Sequence, residues 1–90
     1  MTIDDYRNLR DVTSDLMDKI EADLCVMANR YTKAKKEGDE LEMIALSGAI
    51  SNLSRSRLAY LHTISFAFDK IANLNRRQRA SAQESSKPDQ

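Results

Sequence analysis

The stretch KAKKEGDELE, residues 33–42, constrains this chain more than any other, because it ends one long helical period and begins a second. Lys33, Lys35 and Lys36 suit the negative C-terminal end of a helix dipole. Gly38 is the residue type that adopts the left-handed conformation closing a helix. Asp39 is a favourable N-cap, Glu42 completes a capping box with it, and Glu40 falls in an acidic first turn. A link this short forces the second helix back along the first, so the expected fold is all-α: an antiparallel two-helix hairpin.

Upstream of the link, Thr2 followed by Asp5 reads as a capping-box start, with Asp4 and Asp5 at the positive end of the dipole. Apolar residues then recur in steps of three or four: Tyr6, Leu9, Val12, Leu16, Ile20, Leu24, Met27, Tyr31 and Ala34. From Ile20 to Ala34 the steps alternate four and three, as in the seam of paired helices. The first helix is predicted over about residues 3–36, roughly 50 Å long at 1.5 Å per residue. The second is predicted over 39–75 and carries a drifting stripe through Leu41, Ala45, Leu46, Ile50, Leu53, Tyr60, Leu61, Ile64, Phe68 and Ile71.

Two features complicate the second helix. The segment SGAISNLSRS, residues 47–56, is rich in small and hydroxyl side chains. Gly48, Asn52 and Ser56 recur every four positions there, which suits a close approach of two backbones, and a break in this stretch would give a three-helix variant. Past Asn75 the apolar periodicity ends. Residues 76–90 are expected to form a disordered basic and polar tail after a helical domain spanning 1–75.

Composition narrows function mainly by exclusion. Fourteen basic and fourteen acidic side chains leave no net charge, which argues against a dedicated nucleic-acid binder. Arg76, Arg77 and Arg79 are the single phosphate-contact candidate, and they also suit a helix C-terminus. The lone Cys25 cannot form an internal disulfide and reads as a small buried hydrophobe. His62 has no acid, nucleophile or further metal ligand at helical spacing beside it. Asp11, Asp15 and Asp18 form an acidic ridge without the loop that wraps a calcium ion. No catalytic residue, cofactor site or metal site is therefore expected. With neither a signal-peptide pattern nor a bilayer-length apolar run, the expected setting is soluble and cytoplasmic.

The positive signal for function lies in LAYLHTISFAFDKI, residues 58–71, which is apolar on nearly every side. A hairpin covers one stripe of each helix. Leu61, Ile64, Phe68 and Ile71 make one face, and Leu58, Ala59 and Phe66 fall outside it. Leaving several large apolar side chains in water is costly, so a second protein chain is expected to cover this surface. Leu58, Tyr60, Phe66 and Phe68 are the candidate contact residues, and that chain is either a copy of this one or a different protein.

In its long amphipathic first helix, the charged link KKEGDE, and a second helix that begins acidic and becomes apolar (ELEMIALSGAISNLSRSRLAYLHTI), the chain resembles the small helical-hairpin co-chaperones of type III secretion needle subunits over roughly residues 10–70. The resemblance implies a bacterial cytoplasmic setting and a helical-repeat chaperone partner that contacts Leu58, Phe66 and Met43. A second reading from the residues is a phage- or plasmid-type helical dimer that regulates or inhibits a host protein or a nucleic-acid-associated process.

Overall fold

The computed structural model of the chain describes residues 1–86, with side chains through residue 83. It consists of two α-helices, α1 (Ile3–Glu37) and α2 (Glu40–Ser86), packed antiparallel into a rod of 80 × 19 × 14 Å. The radius of gyration is 21.7 Å, against about 12 Å for a compact domain of this length.

Both ends of α1 form as local chemistry dictates. The Thr2 hydroxyl accepts from the Asp5 N–H at 3.2 Å while the Asp5 carboxylate accepts from the Thr2 N–H at 2.8 Å, a complete capping box. At the other end Gly38 adopts φ 68°, ψ 24°, and the Asp39 N–H reaches back to the Ala34 carbonyl at 2.9 Å, closing a Schellman turn. Asp39 then caps α2 by accepting from the Glu42 N–H at 3.2 Å. Glu42 does not complete that second box. Its carboxylate instead accepts from Arg30 of α1 at 2.7 Å, a tie between the helices beside the turn.

The seam between the helices follows a strict alternation of three- and four-residue steps. On α1 it passes through Ile3, Tyr6, Arg10, Thr13, Met17, Ile20, Leu24, Met27, Tyr31 and Ala34, all buried or half-buried. On α2 it passes through Met43, Leu46, Ile50, Leu53, Arg57, Tyr60, Ile64, Ala67, Ile71 and Leu74. A repeat of 3.5 residues keeps two long helices in contact along their whole overlap, as in an antiparallel coiled coil.

This seam corrects the expected stripes on both helices. In the first half of α1, the steps through Leu9, Val12 and Leu16 wander off the 3.5-residue line, so Arg10, Thr13 and Met17 face α2 instead. Val12 and Leu16 are left 49% and 39% exposed. Thr13 tolerates burial because its hydroxyl donates to the Leu9 carbonyl one turn back, at 2.6 Å. On α2 the seam takes Ala67, wholly buried, rather than Phe68, which is 53% exposed, and it leaves the expected Leu41, Ala45 and Leu61 to its sides, Leu41 being 82% exposed. Ala67 lets the helix axes approach, and the larger ring is displaced to the side.

α2 also differs in extent and continuity. It is unbroken through residues 47–56, so the described residues form a hairpin without a third helix. An alanine methyl at Gly48 would meet nothing within 4 Å, so no backbone packs there. The helix continues to Ser86 rather than ending near 75, because RRQRASAQ contains good helix formers and no Gly or Pro. The part of the expected tail covering 87–90 lies outside the described residues.

Candidate functional site

A heptad frame places every other side chain relative to the seam. One broad flank of the rod carries Leu9, Val12 and Leu16 from α1 beside Ala59, Thr63 and Phe66 from α2. The opposite flank carries Leu58, Leu61 and Phe68 from α2 beside Asp11 and Asp18 of α1. Contacts across the helices agree with this frame. The Tyr6 and Phe66 rings meet edge-on with centroids 6.1 Å apart on the first flank. On the second, the Arg10 guanidinium lies 5.4 Å from the Phe68 ring centroid and Glu21 accepts from Arg57 at 3.1 Å.

These contacts leave both phenylalanine rings about half exposed. Phe66 remains 49% exposed although Tyr6 touches it and the Lys70 ammonium sits 5.5 Å from its centroid. Leu58 is 55% exposed. Leu41 and Ile44 continue the exposed apolar surface toward the turn, where Tyr31, Met43 and Ile44 border a shallow open groove of about 370 Å³. Among the described residues the buried apolar side chains are Ala34, Leu46, Ala67 and Ile71, fewer than the large apolar side chains left in water.

Among the residues singled out for partner contact, Leu58, Phe66 and Phe68 project from the rod, the first and third on one flank and the second on the other. Met43 and Tyr60 lie on the seam, half-buried between the helices. The first flank's α1 half, Leu9, Val12 and Leu16, was hidden by the expectation that these residues formed the inner stripe. The 3.5-residue alternation, continued toward the N-terminus from Ile20, is the signal that separates them from the seam.

The titratable candidates do not converge. Cys25 is exposed rather than buried, because it sits off the seam at the heptad position of Asp11 and Asp18. His62 is exposed on the outside of α2, about ten residues along the rod from the level of Cys25, or roughly 15 Å. Arg76, Arg77 and Arg79 point in three directions around the projecting end of α2, with Arg76 donating to the Asn73 side chain. Among the described residues no group of three or more His, Cys, Asp or Glu side chains is placed to hold a metal ion, and no helix is long and apolar enough to cross a membrane.

The fold and its surface thus define a class: an all-α antiparallel hairpin with apolar side chains on both flanks. No protein-family model, curated protein or solved structure matches the chain.

Proposed function

We propose that this chain is a non-enzymatic module that works by binding another protein through the apolar flanks of its hairpin. The observation that carries the reading is the imbalance between the few buried and the many exposed large apolar side chains. A two-helix rod has one seam, so every apolar residue off that seam stays wet until another chain arrives.

The flank bearing Leu58, Leu61 and Phe68 is the surface for a different protein. It offers a ridge of large side chains about three turns long, bordered by Asp18, which suits the apolar stripe of an amphipathic helix with basic residues along one edge. In its most specific form the module is a bacterial cytoplasmic co-chaperone that shelters a secretion-system subunit together with a second chaperone.

Co-expression with the products of neighbouring genes tests this. A defined complex is expected for the wild-type chain, and Leu58→Ser and Phe68→Ser should each weaken it while leaving the helical circular dichroism unchanged. Equal complex formation by all three, or no complex and no binding of a hydrophobic dye by the free chain, would remove the reading.

A further inference from the structure

The first flank has a different property: it is complementary to itself. We infer that the surface formed by Leu9, Val12, Leu16 and Phe66 pairs with the same surface of a second copy of this chain, about a twofold axis passing beside Val12 and Thr63. This deepens the protein-binding reading and rests on it.

Along α1 this flank reads Asp5, Leu9, Val12, Leu16, Lys19, in steps of four, three, four and three. A twofold axis at Val12, perpendicular to the rod, reverses that order on the copy. Leu9 then meets Leu16 of the second copy, and Asp5 meets Lys19, so the ends of the patch pair opposite charges. On α2 the same axis sets Phe66 against Ala59 of the second copy, a large side chain over a small one. No shift of register preserves all of these pairings.

The axis position follows from the helix lengths as well. The seam sets Thr13 across from Ile64, so Val12 lies within about two residues of Thr63 along the rod, and residue 63 is the midpoint of α2, which spans Glu40–Ser86. α2 overshoots the start of α1 by roughly a dozen residues and has no neighbour there in a single hairpin. Reversal about residue 63 lays each overshooting end along the turn-proximal half of the other α2, giving two helices of equal reach.

Area supplies the scale. The chain exposes 6992 Å², whereas a compact monomer of 10.2 kDa exposes about 5,300 Å², an excess of about 1,700 Å². A stable interface takes about 800 Å² from each partner, so covering half of the excess suffices. The product is a four-helix bundle with all neighbouring helices antiparallel.

The test uses the full chain. Wild-type protein should sediment at twice the chain mass at micromolar concentration, and Phe66→Ser should raise the dimer dissociation constant at least roughly tenfold with helix content retained. In a Cys25→Ser background, Val12→Cys should cross-link to itself under mild oxidation, and Asp15→Cys, on the outer surface, should not. If the Val12 variant loses helical signal, Thr63→Cys reports on the same axis. A twofold mass without cross-linking at either position overturns the proposed axis and leaves the protein-binding reading intact. A monomer that binds hydrophobic dye overturns self-pairing alone. A monomer that binds none and forms no complex on co-expression overturns both.

Discussion

Arg57 of α2 occupies a seam position where an apolar side chain would ordinarily sit, and its guanidinium leaves the seam to meet Glu21 of α1 at 3.1 Å. Both side chains are more than two-fifths exposed, so solvent screens the pair and its net contribution is about 0–1 kcal/mol. Arg57→Leu should therefore stabilise the hairpin by roughly 1 kcal/mol through added apolar burial. Glu21→Ala should change stability by less than about 0.5 kcal/mol. Urea denaturation of the two variants checks the ordering.

Ala67 and Phe68 are adjacent in sequence and opposite in role. With Ala67 wholly buried between the helices, Ala67→Leu should destabilise by about 1–3 kcal/mol through overpacking. Leu46→Ala, which empties a buried seam position, should cost about 2–5 kcal/mol. Phe68→Ser removes mainly the contact under Arg10, at a cost of about 0.5–1 kcal/mol. Thermal unfolding should rank the three, with Phe68→Ser the mildest.

The two glycines should respond to alanine with opposite sign. Gly38 holds φ 68°, which an L side chain resists, so Gly38→Ala should destabilise by about 1–2 kcal/mol. Gly48 sits in the interior of α2 with open space about it, so Gly48→Ala should stabilise by about 0.5–1 kcal/mol. Because Gly48 faces away from both flanks, that variant should leave association unchanged, as sedimentation would show.

The start of α1 should carry a pH dependence. Hydrogen bonds from the Thr2 backbone and side chain hold the Asp5 carboxyl below its ordinary pKa. A carboxyl lowered in the folded state contributes stability above its unfolded pKa and loses it as pH falls through the folded one. The first turn of α1 should accordingly loosen below about pH 4, the ordinary aspartate value, seen as faster amide exchange near Asp5 after correction for intrinsic rates. Asp5→Asn should flatten that dependence.

Much of this architecture was legible in the residues themselves. The Thr2–Asp5 box, the Gly38 turn and the Asp39 cap are contacts between groups at most a few residues apart, so their geometry follows from local sequence. Leu58 and Phe66 were recognisable as surplus because a second helix cannot cover every side of the first. The buried or exposed state of Val12, Leu16, Cys25 and Phe68 was not recognisable, since a stripe with mixed steps of three and four fits several neighbouring seam lines.

The chain by itself determined where the Gly38 turn falls and that the helices on either side of it run antiparallel, because capping and loop length act over single turns. Only the packed pair decided which line along each helix became the interface. That choice belongs to both helices at once: a supercoiled contact some ten layers long admits one 3.5-residue track on each partner. The track taken leaves Leu9, Val12, Leu16 and Phe66 together on one flank, which neither helix alone could have specified.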